Sequence, residues 1–418
     1  MSTARTRLTP EVVIVGAGPA GLRAAKEMAP KVSGEVLVLD REPQAGGLPR
    51  HCAHPGFGIR DLRRITTGPA YARRLARSAA QAGAVIRTGA MVTGWSADGG
   101  LEVTTPDGLW EVRADAVVLA TGARERPRSA RLVPGDRPDG VYTTGHLQNL
   151  VHLKHSQVGR KAIVVGSELV SWSAVLTLRA AGCQTVLMTT ERPRGEAYAL
   201  VAVPGRLGLG IPVRTRTKVT RIIGRQQVAA VEVEDLDSGH RDTVPCDAVV
   251  FTGDWIADNE LARAAGLEID PGTLGPVVDT ELRTDRPGVF AAGNLLHPVD
   301  TADVAALDGA RVAASVLDHL GGRRSSAQGV RIVADEPLRW ISPMLRRVGD
   351  RPPPRRRLLA WVDEYLAFPV VVVRQKGRVV AEQRLAWPAA PGRVFRIPSE
   401  ILDAARPGQG DVHVSLRR

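Results

Sequence analysis

Residues 12–21 read Val-Val-Ile-Val-Gly-Ala-Gly-Pro-Ala-Gly, a run of β-branched residues passing straight into a G-x-G-x-x-G turn. The apolar run predicts a buried strand. Gly16 supplies the tight turn, Gly18 lets the backbone approach a phosphate, and Gly21 lets the next helix pack against the strand. That helix, entered through Pro19 and Ala20, presents unpaired N–H groups and its positive end to an anion. A second run, Val36-Leu-Val-Leu39, ends in Asp40, 19 residues after Gly21. A carboxylate there can accept hydrogen bonds from the ribose of a dinucleotide. Strand, loop, helix, strand and acid in this order outweigh the alternative of a glycine-rich turn that holds nothing.

The 418 residues carry a formal net charge of +12, with 44% hydrophobic and 4% aromatic residues. The length suffices for two or three domains with a full core. So few aromatic rings argue against a stacking platform for single-stranded nucleic acid. Residues 330–418 hold 17 Arg and Lys against 9 Asp and Glu, so +8 of the charge lies there. That excess reads as a solvated basic surface ahead of a polyanion or lipid site. Three scattered cysteines, Cys52, Cys183 and Cys246, are too few for a disulfide framework or an iron–sulfur cluster, and no metal site is expected. The first apolar run ends in the glycine loop, so no signal peptide is read. The longest nearly uncharged stretch, 162–178, contains Glu168 and several serines and is not a membrane span. The expected location is the cytoplasm, with peripheral attachment to a membrane left open.

A loop rich in His, Pro and Gly runs to Gly58, followed by a helical stretch over 67–81. Strands are expected at Val85–Thr88, Leu101–Thr105 and Trp110–Arg113 as a small antiparallel insertion, then at Ala116–Ala120 before Thr121-Gly122. A second strand, loop and helix unit opens at Lys161–Gly166, continues through Leu169–Ala181 and returns at Gln184–Met188, repeating the first. Further strands at Lys218–Ile223, Val228–Glu234 and Ala248–Thr252 complete it. Gly288-Val-Phe-Ala-Ala-Gly-Asn294 leads to a helix near Val304–Leu320 and then to 321–329, which has linker composition. Beyond lie short β segments at 358–362, 369–374, 378–385, 393–397 and 412–416, with a hairpin turn at 375–377.

Two such units, with Ala120-Thr-Gly122 between them and Gly293-Asn294 after the second, resemble the two-dinucleotide-domain flavoproteins of the pyridine nucleotide-disulfide oxidoreductase superfamily over residues 10–320. The resemblance implies an α/β fold with two Rossmann-like, FAD/NAD(P)-binding, three-layer ββα domains, to which the sequence adds a small C-terminal antiparallel β domain. Residues 10–150 and 275–320 would bind FAD non-covalently, and 151–274 would form the NAD(P)-binding-like domain. The linker at 321–329 would join them to the basic β domain, 330–418. By the same resemblance, Gly16, Gly18, Pro19, Ala20 and Gly21 hold the pyrophosphate, Asp40 the ribose and Arg41 the adenine side. Gly46 and Gly47 line the cofactor, Val92 lies near the adenine, and Ala120, Thr121 and Gly122 run along the phosphate arm. Gly293 and Asn294 reach the ribityl chain, and Asp303 and Val304 open a helix whose positive end faces the flavin pyrimidine. An ordinary capped surface helix is the plainer reading of that last pair. Asn294 stands where the family has aspartate, and its amide still offers an acceptor.

Family disulfide reductases carry two cysteines soon after the Gly-Gly pair. Here Leu48-Pro-Arg-His-Cys-Ala-His54 holds one, so no dithiol forms and disulfide reduction is excluded at this position. The resemblance brings His51, Cys52 and His54 near the flavin. Either His54 or, second, His51 takes a proton as hydride leaves the substrate, with His297 as the next candidate, or the loop histidines only pack. Cys52 reads as a packed thiol. In the second phosphate loop, Gly166-Ser-Glu-Leu-Val-Ser171, Glu168 and Ser171 replace the second and third glycines. A carboxylate there adds bulk and repulsion, each on the order of 1 kcal/mol or more. NAD(P)H binding is therefore doubtful, and the second domain reads as structural. The alternative is an unusual nicotinamide site in which Arg192 and Arg194 hold phosphate.

Ala120-Thr-Gly-Ala-Arg-Glu-Arg-Pro127, with 46–58, looks most like the FAD subunits of hydrogen cyanide synthase, opine oxidase and hydroxyproline dehydrogenase. The cysteine-rich cluster domain that several of those carry is not expected here, since no cysteine follows Cys246 in these residues. The resemblance implies a dehydrogenase, or its FAD subunit, taking a hydride from a small amine, imino or amino acid, or alcohol. Its electrons would pass to a protein or quinone acceptor, with a second redox subunit as partner. An NAD(P)H-dependent flavin reductase supplying a redox partner and a non-catalytic flavoprotein subunit stand as alternatives.

Overall fold

Runs rich in β-branched residues, most of them ended by a glycine or a tight turn, form two five-stranded parallel sheets, one in each compact unit of the chain. The computed structural model describes residues 5–198, 205, 208–298 and 300–418. One unit comprises residues 1–50, 56–124 and 256–418, and the other 51–55 and 125–255.

The sheet of the first unit runs Val289–Ala291, Ala116–Leu119, Val12–Val15, Val36–Asp40, Val85–Thr88. All four residues of Val12–Val15 are buried, as a parallel strand covered on both faces requires. Helix Pro19–Met28 crosses helix Ala302–Leu320 at Gly309, where an added Cβ would lie 2.1 Å from Ala20 O. Val85–Thr88 thus corrects the expected antiparallel insertion: it is the fifth parallel strand, and the insertion consists of Met91–Trp95, Leu101–Thr105 and Gly108–Val112. Half-buried Val-Ile-Arg-Thr has no periodicity by which sequence could choose a partner.

In the second unit the order is Val141–Thr143, Ala248–Phe251, Lys161–Val165, Gln184–Thr189, Val213–Arg214, again parallel. Side-chain alternation divides its core into two layers. Ala162, Val164 and Val250 pack with Leu147, Trp172 and Leu178 of helices Thr144–His152 and Leu169–Ala180. Ile163, Val249 and Phe251 pack with Val219, Ile222 and Val231 of an antiparallel sheet formed by Thr217–Gly224, Val228–Asp235 and Arg241–Pro245. This is the three-layer ββα arrangement.

The units divide at 124/125 and 255/256, not at the expected 150/151 and 274/275. Val141–Thr143 pairs with Ala248–Phe251 and so draws 125–150 into the second unit. Leu261 and Ala262 are buried in the first unit's core, where Trp95 Nε1 donates to Leu261 O at 2.9 Å.

Residues 329–417 form a five-stranded sheet in the order Leu345–Arg347, Gly329–Ala334, Val412–Arg417, Val370–Gln375, Arg378–Arg384, and a three-stranded sheet of Leu338–Ser342, Arg357–Val362 and Phe395–Pro398. They share a core of their own around Leu358, Val371, Phe395 and Val412. The expected hairpin turn is present, with Lys376 and Gly377 at φ of +49° and +73°. The sheet is not wholly antiparallel, because Ile332–Ala334 runs parallel to Val412–Val414. Nor is 321–329 the sole connection within this unit. Arg351 Nε donates to Glu281 Oε1 at 2.9 Å, Arg347 Nε to Asp279 Oδ2 at 3.1 Å, and Arg283 pairs with Asp350. All three cysteines are free and buried. Among the described residues no helix is long and apolar enough to cross a membrane.

Candidate active site

The first glycine loop has the shape of a phosphate cradle, position by position. Gly16 lies at φ +107° with an added Cβ only 2.4 Å from Ala120 O, and a Cβ on Gly21 would lie 1.9 Å from Gly16 O. Both positions are closed to side chains by the protein itself. Gly18 differs: its φ is −80°, and a Cβ there would meet nothing within 4 Å. The space beside it is left open, and no side chain caps the helix that begins at Pro19. Gly47 comes close to that opening, its added Cβ falling 2.9 Å from Gly18 Cα, while Gly46 N donates to Ala17 O at 2.8 Å.

Asp40 is buried and shapes the loop directly. Its Oδ2 accepts from Ala17 N at 2.6 Å and its Oδ1 from Glu42 N at 2.8 Å. Burial raises its pKa against these two donors. The carboxylate keeps further lone pairs for a ribose hydroxyl. Asp258, which sequence reasoning missed, gathers the rest of this edge. Arg41 donates to its Oδ2 at 3.1 Å, Arg124 pairs with it, Thr121 Oγ1 donates to its carbonyl at 2.7 Å, and its N–H donates to Gly122 O at 3.0 Å. Val92 sits half-buried opposite Val103.

At the return point, Gly293 lies at φ +75°, with an added Cβ 2.8 Å from Ala20 Cβ. Asn294 Nδ2 donates to Asp300 O at 3.0 Å, and its Oδ1 is buried with no hydrogen-bond partner among the described residues. An orphaned buried acceptor beside an open glycine cradle is what a ribityl hydroxyl would satisfy, so these residues fit FAD. Asp303 is 2% exposed and accepts from Arg60 N at 2.9 Å and from Val304 N at 3.0 Å. His297 Nε2 meets Asp308 Oδ2 at 2.6 Å, and Arg355 donates to the other oxygen of Asp308 at 3.3 Å. Burial alone would lower the His297 pKa, but Asp308 and Asp300 outweigh it and hold the ring toward its charged form. Asp308, Asp300 and Arg355 carry no local motif, and no signal short of the fold could have found them.

The second loop is filled by its own carboxylates. Glu168 Oε2 accepts from Ser167 N at 3.0 Å, and its Oε1 lies 2.5 Å from the place of a Cβ on Gly253, buried and unpartnered. Glu196, also missed in the sequence, accepts from Ser167 Oγ at 3.2 Å and Thr190 Oγ1 at 3.0 Å. Burial and then the Glu168 charge raise its pKa. Ser171, in place of the third glycine, bonds Thr252 Oγ1 at 2.7 Å. A pyrophosphate needing the Ser167 N–H would have to displace a carboxylate, so these residues do not fit NAD(P)H.

Residues 10–309 match the family model described as pyridine nucleotide-disulphide oxidoreductase. The chain belongs to that family. That family is one of oxidoreductases, and its members bind FAD. It is 27% identical over 314 residues to an opine oxidase subunit of Agrobacterium tumefaciens (strain Ach5), covering 68% of this chain and 61% of that one. The chain thus spans about three fifths of the length of that relative. Ferredoxin–NADP reductase of Saccharopolyspora erythraea is 31% identical over 294 residues, 68% of this chain and 84% of its own. Among solved structures, T. acidophilum thioredoxin reductase superposes with a TM-score of 0.63 at 25% identity, covering 74% of this chain and 98% of that chain.

The loop 51–55 groups with the second unit. His54 Nδ1 faces Pro55 O at 2.8 Å, so Nδ1 donates there, and in the neutral ring Nε2 accepts from Ser173 Oγ at 2.6 Å. Ser173 in turn accepts from Gln148 Nε2 at 2.8 Å, and Cys52 Sγ donates to Gln148 Oε1 at 3.3 Å. Burial pushes the Cys52 thiol up to about 12, which keeps it protonated. His51 is half-buried in the same loop.

Proposed function

We propose that this chain is an FAD-dependent dehydrogenase, or the FAD subunit of one. It takes a hydride from a small amine, an imino or amino acid, or an alcohol, and passes the electrons to a protein acceptor rather than to NAD(P)+. The carrying observation is the contrast between its two loops, one open at Gly18 and the other filled by Glu168. Bound FAD supplies the two-electron acceptor. Asp40, Asn294 and the Pro19–Met28 helix hold it in place, and Asp258 fixes Arg41 and Thr121 along its edge. We assign the proton-accepting role to His54, whose Nε2 lone pair is directed at the Ser173 hydroxyl. Through that hydroxyl a substrate proton can be received while Nδ1 keeps its own proton, donated to the Pro55 carbonyl. His297 is less suited to start as a base because Asp308, against the opposing effect of burial, shifts its pKa upward toward the charged form. The name of the opine oxidase relative supports a substituted amino acid as substrate, and its being one subunit of that oxidase supports a second chain as partner.

A nicotinamide-dependent reductase is the second reading, favoured by the ferredoxin–NADP reductase relative and opposed by Glu168. Anaerobic mixing of the flavin-loaded chain with opines, N-methylglycine, proline, hydroxyproline, NADH and NADPH separates the two. An amine or amino acid should bleach the flavin faster than either nucleotide. Rapid bleaching by NADH or NADPH, with none by the amino acids, would establish the second reading instead.

A further inference from the structure

Helix Gly68–Gln81 buries Tyr71, Ala72, Leu75 and Ala79. That face approaches the cofactor cradle, since the Ala72 Cβ lies 2.7 Å from the place of a Cβ on Gly46. On the outward face, Arg73, Arg74 and Arg77 join Arg64 of the preceding loop around a groove of about 460 Å³. Leu62 and Ala70 contribute apolar surface, Thr66, Ser78 and Gln81 add hydrogen-bonding groups, and no carboxylate lines it.

Arg63, Arg64, Arg73, Arg74 and Arg77 are all exposed and make no ion pair among the described residues. Nearby arginines behave otherwise: Arg23 pairs with Glu27, Arg50 with Glu42 and Arg60 with Asp303. Arg73 and Arg74 sit four and three residues before Arg77, spacings at which like charges repel on a helix surface. Ile65 and Ile59 in the same segment are 69% and 48% exposed. Arginines around a concavity with apolar surface at Leu62 and Ala70, beside two exposed isoleucines of the same segment, match the arginine enrichment of protein interfaces.

We propose that this groove docks the acidic face of the electron-accepting protein. Its position suits that role. The groove and the Gly46–Gly47 pair lie on opposite sides of one helix, and Arg60 N, in the same segment, donates to Asp303 Oδ2 at 2.9 Å at the start of the return helix. The identity of the partner as an electron acceptor rests on the function proposed above, whereas its charge rests on the groove alone. Guanidinium groups could also hold a small phosphate ligand, but their exposure and the isoleucines favour a protein surface.

The full FAD-loaded chain, oxidised, is titrated calorimetrically with an oxidised acidic [2Fe–2S] ferredoxin, with basic cytochrome c and with inorganic pyrophosphate, at low and high salt. The ferredoxin should bind, lose affinity as salt rises, and bind about tenfold or more weakly to Arg73→Glu/Arg77→Glu, with the Gln pair intermediate. Both variants should keep their flavin and its bleaching by substrate. Absent ferredoxin binding, binding equal in the charge-reversed variant, preference for cytochrome c, or pyrophosphate binding that blocks the ferredoxin would each overturn the proposal. No turnover occurs in this titration, so its failure leaves the proposed function standing, and that function fails separately in the bleaching panel.

Discussion

Replacing Glu168 by Gly should convert the second loop from one that excludes dinucleotides into one that admits them. The carboxylate now takes the Ser167 N–H at 3.0 Å, the donor a phosphate oxygen would need. If the side chain swung aside to about 6 Å, its repulsion of one phosphate charge would still be about 3 kcal/mol at an effective dielectric of about 20. That corresponds to roughly a hundredfold in affinity. Glycine is well tolerated at a helix N-cap, the place Glu168 holds, so the fold should survive. Calorimetric titration with NAD+ and NADP+ reads the change directly: weak or no binding to the natural chain, and binding tightened by about this factor in Glu168→Gly. Tight binding to the natural chain, or no gain in a variant with unchanged melting temperature, would refute the reasoning.

Other perturbations should behave as follows. His54→Ala should keep FAD yet slow substrate bleaching of the flavin by about a hundredfold or more in anaerobic stopped flow, with His51→Ala less affected and Cys52→Ser milder still. Equal rates in all three would move the base elsewhere, with His297 next. Glu281 is held at a pKa of about 2, because its bonds to Arg351 and the Arg311 charge outweigh burial, which alone would raise it. A depressed carboxylate adds stability above its unfolded pKa of about 4.5, and that stability is lost as pH falls toward 2. The shift corresponds to about 3 kcal/mol, so Glu281→Gln should lower urea stability by about that much at pH 7 and progressively less below pH 4. A constant difference across that range would contradict the linkage.

The first cradle was legible in the sequence because its parts are local: three glycines, a strand and an acid within 30 residues make one contiguous surface. The substitution of Glu168 was legible for the same reason. What escaped reading depends on partners far along the chain. Val85–Thr88 could be placed only by its pairing with Val36–Asp40, and Val141–Thr143 only by its pairing with Ala248–Phe251. Glu196, Asp258 and Asp308 acquire their roles through Ser167, Arg124 and His297, contacts that no periodicity announces. The anchoring of the C-terminal strands by Glu281–Arg351, 70 residues apart, is likewise a product of the fold.

The central claim is that the opening beside Gly18 is a flavin site, and the flavin-to-protein ratio of purified Gly18→Leu tests it most directly. Because a Cβ at Gly18 meets nothing within 4 Å, with φ at −80°, leucine should enter the cradle without disturbing the fold. The natural chain should carry stoichiometric non-covalent FAD, and the variant should be colourless with the same circular dichroism. A Gly18→Leu protein that keeps its full complement of FAD would contradict it.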